Sequence, residues 1–418
     1  MEYIRSKDIY LLMRDILKLI HPRPIEHGSR VAYMVYLMLK EKGRFEEFEL
    51  ADIVMVATMH DIGAYMTEEG RINDMLRYES RESMAHSIYG YLFFKYLSPV
   101  PDLSKVIMYH HTDYELLKTV DYEYKNIAAY INIAEKMDIY SSTMGAQFDL
   151  YMFEKMADTK LSADGLALLY QVEAKYGMFD KIKSGEYKKE LDRIAEYMIF
   201  NNEDKKKFLE MLMYCLGFRS RGMVMDNITT ICVCNYLAEE MMLSAAEREI
   251  LYYGALIHDI GMLAIPREII EASRKLEPAE FDLLRTHVET VGKLLQNRMQ
   301  SEVIDVALAH HERADGSGYP RHMKDAQMNM LQRILQVADV VTALVNPRSY
   351  RKELPKEKVI SILIDEVSKH RLKQQVVTTL VNSYDPIMER VKKESSEIVK
   401  MYETLNKQYE LVSKKFRA

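Results

Sequence analysis

Histidine and an acid stand side by side at several places in this chain. His60 and Asp61 open one HDIG, and His258 and Asp259 open another. Two adjacent histidine pairs follow them, His110–His111 and His310–His311, the second running on into HHERADGSGYP. Neutral imidazole and carboxylate are the usual protein ligands for zinc, iron, manganese and similar divalent ions. An HD pair offers a nitrogen and an oxygen from neighbouring positions, and its aspartate can bridge two ions. Such a centre lowers the pKa of a bound water and yields a nucleophile suited to a phosphoric ester or diester.

The pattern occurs twice. One copy runs His27, His60–Asp61, His86, His110–His111 and Asp138; the other runs Asp226, His258–Asp259, His287, His310–His311 and Asp339. Corresponding residues lie about two hundred positions apart, a register that chance does not keep, so the chain reads as a duplicated unit with a core in each copy. Asp226 stands where the first copy has His27.

The elements that must position these residues are helices. Apolar residues recur at helical spacing in VAYMVYLML, VIMYHH and ILYYGALIH, and alternating strand patterns are nearly absent. With 48% hydrophobic and 29% charged residues, and only 10 prolines and 16 glycines, the chain is expected to be soluble, ordered and all-α. The expected organisation is two tandem helical bundles, over 1–200 and 201–385, divided near the polar NNEDKKK, and a helical tail over 386–418. In that tail Val391, Ile398, Leu405 and Val412 recur every seven residues, which fits a parallel coiled-coil dimer and equally a helix packed back on its own chain.

A net charge of −6 gives no reason for binding DNA, RNA or an anionic membrane. No window supplies the roughly eighteen apolar residues of a membrane span, and the opening segment lacks a signal peptide's apolar centre. Three cysteines, Cys215, Cys232 and Cys234, are too few for a disulfide framework and read as buried thiols in a reducing cytoplasm.

The ordered set H…HD…H…HH…D resembles the HD superfamily of metal-dependent phosphohydrolases, and HDIG with HHERADGSGYP resembles its HD-GYP branch, strongly over 218–352 and by ligand order alone over 27–138. The resemblance implies a helical bundle around a metal centre and hydrolysis of a cyclic dinucleotide, chiefly cyclic di-GMP. It implies iron or manganese, with zinc, nickel or magnesium as alternatives. The implied ligands are Asp226, His258, Asp259, His287, His310, His311 and Asp339 in the second copy, with His27, His60, Asp61, His86, His110, His111 and Asp138 in the first. Asp259 and Asp61 are then the bridging, catalytic carboxylates. Gly318 and Tyr319 border the substrate, and Arg348 and Arg351 in NPRSYRKE match a pair that contacts its phosphates.

Three departures temper that picture. The lysine of the family's HDxGK is Met262 in the second copy and Ala64 in the first. The first ligand of the second copy is an aspartate. A glutamate that builds a third metal site in some members is replaced by Gly222 and Arg23, so at most two ions per copy are expected. The first copy keeps its ligands, but TDYELLK replaces the glycine loop, and Gln147 and Leu150 stand where the second copy has its arginines. Two alternatives follow: a degenerate protein that binds a nucleotide or a signalling partner without turnover, or a first copy that cleaves a phosphomonoester.

Overall fold

The computed structural model describes residues 3–66, 84–218, 220–347 and 352–417. Its regular structure among these residues is helical, with isolated bridges such as Ile4 with Met299 and no strand. The chain divides into two compact units, one formed by Ile9–Phe208 with Thr404–Ala418, the other by Met1–Asp8 with Leu209–Glu403.

The site-bearing helices of the first unit are α1 (Pro22–Lys42), α2 (Glu47–Thr58), α3 (Met84–Leu97), α4 (Ser104–Tyr109) and α5 (Lys125–Met144). Proline in the first turn of α1 starts that helix, and Gly43, at φ +62°, stops it in a left-handed cap that a side chain would strain. Between these ends the run Val31–Leu39 is almost wholly buried, and α1 packs against both α2 and α5. A capping box of Glu46 and Glu49 fixes the start of α2.

The second unit repeats the order with α6 (Arg221–Glu240), α7 (Ala245–Ile257), α8 (Pro278–Leu295), α9 (Ser301–Ala307) and α10 (Met330–Val345). Capping boxes open α7 (Ser244 with Glu247), α8 (Glu277 with Glu280) and α10 (Asn329 with Gln332). The contacts repeat too: α6 packs on α7 and α10, as α1 does on α2 and α5.

The glycine of each HDIG has a packing reason. A Cβ on Gly63 would lie 1.9 Å from the His86 carbonyl oxygen, and one on Gly261 would lie 2.1 Å from that of His287. Only glycine lets the HD turn press onto the backbone of the next histidine-bearing helix.

The last helix, α11 (Tyr384–Arg417), carries the heptad residues. Leu405, Tyr409 and Val412 pack against Ile88, Tyr91 and Leu92 of α3, and the Tyr409 ring stacks on Tyr89 at 4.1 Å. That stretch of the seam is therefore used within the chain. All three cysteines are free and buried, and burial pushes the Cys232 thiol up to about 12. No helix among the described residues is long and apolar enough to cross a membrane.

Candidate metal centres

His60, His110, His258 and His310 sit at or just past the C-terminal ends of helices, where the last carbonyls have no partner within the helix. His60 follows α2 and its Nδ1 donates to Ala57 O at 2.8 Å; His110 caps α4 and donates to Ile107 O at 2.5 Å. The second unit repeats this with His258 to Ala255 O (2.7 Å), His310 to Ala307 O (2.7 Å) and His287, within α8, to Leu284 O (2.6 Å). A carbonyl can only accept, so in each ring Nδ1 carries the hydrogen. In the neutral ring Nε2 is then a bare lone pair directed away from the helix, which is how metal-ligating histidines are oriented.

Those lone pairs converge on the HD aspartates. In the first unit Asp61 Oδ1 lies 3.5 Å from His60 Nε2, 3.2 Å from His86 Nε2 and 3.7 Å from His110 Nε2. Two ligand groups share this carboxylate: His27, His60 and Asp61, and Asp61, His86, His110 and His111. Buried polar atoms are nearly always hydrogen-bonded, yet His27 Nε2, His60 Nε2 and Asp61 Oδ1 are buried with no such partner. Three orphaned lone-pair atoms aimed at one point fit a cation, with Asp61 able to serve two ions. Burial would raise the Asp61 carboxyl, but His60 and His86 pull it well below the usual carboxylate range. Burial holds His60, His110 and His111 below the usual imidazole range, as ligands require.

Asp138 is not brought into either group. Its carboxylate is gripped by Arg30 through Nε at 2.6 Å and Nη2 at 2.8 Å, and it accepts from His27 Nδ1 at 2.6 Å. It therefore orients His27 rather than facing the ion. Glu135, one turn earlier on the same face of α5, comes within 3.3 Å of His111 Nδ1 and groups with His60 and His110. The spacing i, i+3 was the available signal for Glu135; nothing local in the sequence marked Arg30 as the partner of Asp138.

In the second unit Asp259 Oδ1 lies 3.4 Å from His287 Nε2 and 3.7 Å from His310 Nε2, while Oδ2 lies 3.5 Å from His258 Nε2. His287, His310 and His311 form a ligand group. Burial lowers His287 and His310. Asp339 Oδ2 stands 3.2 Å from His311 Nδ1; burial opposes its ionisation, but His311 brings it down to about 2. Asp226 accepts from Asn346 Nδ2 at 2.8 Å and lines, with Asp259, His287, His311 and Asp339, a cavity of about 1110 Å³. Met262 lines the same cavity.

The glycine loop is fastened by Glu312, which is wholly buried and accepts from the backbone N–H of Arg321 (2.6 Å) and Met323 (2.8 Å). A Cβ on Gly318 would meet Arg313 N at 2.3 Å, so the turn needs glycine there. Closed in this way, the loop lays the Tyr319 ring 4.8 Å from that of His311. Arg348 and Arg351 lie outside the described residues.

Two family models described as HD domain match the chain, one over residues 25–142 and the other over 210–376. The chain belongs to the HD-domain family of metal-dependent phosphohydrolases. Its HD units thus occur in tandem, each around one HDIG turn. It is 27% identical over 393 residues to 3'3'-cGAMP-specific phosphodiesterase 1 of Vibrio cholerae, covering 86% of this chain and 87% of that protein. It is 37% identical over 125 residues to the cyclic di-GMP phosphodiesterase of Thermotoga maritima, covering 29% of this chain and 34% of that protein. Among solved structures, a cyclic GMP-AMP specific phosphodiesterase of V. cholerae, V-cGAP3, superposes with a TM-score of 0.59 at 14% identity, over 92% of this chain and 98% of that one. That likeness bears on the HD fold alone.

Proposed function

We propose that the second HD unit hydrolyses a phosphodiester bond of a cyclic dinucleotide such as cyclic di-GMP or 3'3'-cGAMP, in the cytoplasm and with iron or manganese. One observation carries this reading: Asp259, His287, His311 and Asp339 face a cavity of about 1110 Å³, ample for a dinucleotide beside a metal centre. The printed activities of the V. cholerae and T. maritima relatives support it.

Divalent cations held by Asp259 with the surrounding imidazoles supply Lewis acidity at the phosphoryl oxygens and lower the pKa of water. The chain's own residues do the rest. Backbone carbonyls fix the Nδ1–H tautomer of His258, His287 and His310 and so present Nε2 without a proton to lose. Asp339 holds His311 by Nδ1, and Tyr319 packs against the same ring from the loop side. Asp226 adds a third carboxylate to the cavity wall. Arg348 and Arg351 are proposed to hold phosphate oxygens, a task that planar guanidinium forks suit.

The test is to incubate the purified chain with cyclic di-GMP or 3'3'-cGAMP and added Mn²⁺ or Fe²⁺, and to follow products by chromatography. Linear dinucleotide or mononucleotide should appear. A second reading, a nucleotide receptor without turnover, is favoured by Met262 on the cavity wall, because a thioether carries no charge and donates no proton. Binding without products would select that reading, and neither binding nor products would overturn both.

A further inference from the structure

Beside the metal cavity lies a second recess of about 330 Å³, lined by Arg285, Arg313, Arg371, Tyr319, Ser317 and Glu366, and it shares His311 with the cavity. Of its three arginines, Arg371 is held by two carboxylates, bonding Asp315 and Glu366, each at 3.2 Å. Arg313 donates to the Glu312 backbone oxygen at 2.7 Å, and its charge also favours the ionised Asp339 carboxylate. Among the described residues Arg285 pairs with the exposed Asp282 at 3.8 Å, a pair of little worth in water. Its guanidinium is nonetheless held in place, stacked 4.6 Å from the Phe281 ring and 4.9 Å from that of Tyr319. Such a stacked fork is organised for an oxyanion before the anion arrives.

The backbone fixes these cations relative to the metal centre. Arg285 precedes the ligand His287 by two residues on α8, and Arg313 follows His311 by two. In the register of the duplication the first unit has Met84 and Asp113 at these places and Thr119 opposite Tyr319. The cations accompany the glycine loop and are missing from the copy that lacks it.

We infer that Arg285 and Arg313 form a second phosphate site, which holds the phosphate that is not being cleaved while the other lies at Asp259. This rests on the cyclic dinucleotide reading and adds to it a reason for preferring substrates with two phosphates. A phosphodiester with a single phosphate has nothing to place in the recess. His311, which lines both, is where the two compartments meet.

The experiment compares the full chain with Arg285→Met, Arg313→Met and Arg313→Lys, on cyclic di-GMP, 3'3'-cGAMP and bis(p-nitrophenyl) phosphate, with metal content measured on each sample. Each Met variant should raise KM for the cyclic dinucleotides about tenfold or more, as loss of a charge-assisted hydrogen bond does, with kcat within about threefold. Arg313→Lys should recover part of that loss. Activity on bis(p-nitrophenyl) phosphate and the metal content should not change. Unchanged KM in both Met variants, with wild-type turnover intact, overturns this inference alone. An equal fall on the single-phosphate substrate overturns it as well, by assigning the arginines a general structural part. A wild-type chain that cleaves bis(p-nitrophenyl) phosphate and no cyclic dinucleotide overturns the functional reading and this inference together.

Discussion

The two HD units repeat most of one ligand constellation, with Asp226 in place of His27, yet surround it differently. In the first, the Asp61 side chain is 14% exposed, His111 10% and Asp138 4%; in the second, Asp259 is 25% exposed, His311 23% and Asp339 17%. Arg30 and His27 engage Asp138 in the first, whereas the corresponding Asp339 faces His311 and a large cavity. The first follows its HH pair with a short helix, Tyr114–Leu117; the second follows it with a loop tied down by Glu312. Holding a cation is thus the work of helix ends and two HDIG turns, which duplication preserves. In the proposed function, recognising a nucleotide falls to the loop and its cations, Arg285 and Arg313, whose places in the first copy hold Met84 and Asp113.

The sharpest way to break this division is to remove one aspartate at a time. Asp259→Ala should lower cyclic dinucleotide cleavage by about a thousandfold or more, as loss of a central catalytic group does, while Asp61→Ala should cost less than about tenfold. Steady-state rates on one substrate decide it, and equal losses would erase the distinction. Next in size, Gly63→Ala and Gly261→Ala should behave alike, because in each the new Cβ meets a histidine carbonyl near 2 Å. Each should destabilise its unit by about 3 kcal/mol through forced backbone displacement, read by thermal unfolding and by loss of bound ion. A tolerant Gly63→Ala would mean that the first turn is not pressed onto α3 as the second is onto α8.

Glu312→Ala concerns the second unit only. Two buried backbone donors lose their acceptor, at about 1–3 kcal/mol each, so the unfolding midpoint should fall and KM rise while the first unit keeps its metal. Arg30→Met is the counterpart in the first unit. It releases Asp138 from a bidentate ion pair and should cost about 2 kcal/mol of stability, with cyclic dinucleotide turnover unaffected. The smallest expected effect is from Met262→Lys, which returns a cation to the cavity wall and should raise kcat by about tenfold or less. No increase would weigh against a phosphate near that wall.

The order of ligands, the duplication and the all-helical architecture were legible because each depends on residue type and spacing along the chain. His60, His110, His258 and His310 were readable for the same reason, since a histidine at a helix end finds its carbonyl three residues back. What escaped the sequence depends on long-range convergence. Arg30 reaches Asp138 across more than a hundred positions, so the fate of that carboxylate could not be read from IAEKMD. Glu135 enters the first site because α5 turns the same face toward His111. Arg285 and Arg313 meet only when α8 and the histidine turn are folded together, and the tail's heptads fitted a dimer as well as they fit α3.

The most direct measurement is metal content per chain, by elemental analysis of protein purified anaerobically without chelator, for wild type, Asp61→Ala and Asp259→Ala side by side. Bound divalent ion is expected in the wild type and a partial loss in each variant, each retaining what the other has lost. A wild type with no bound ion, or a single variant that empties both units, would contradict that expectation.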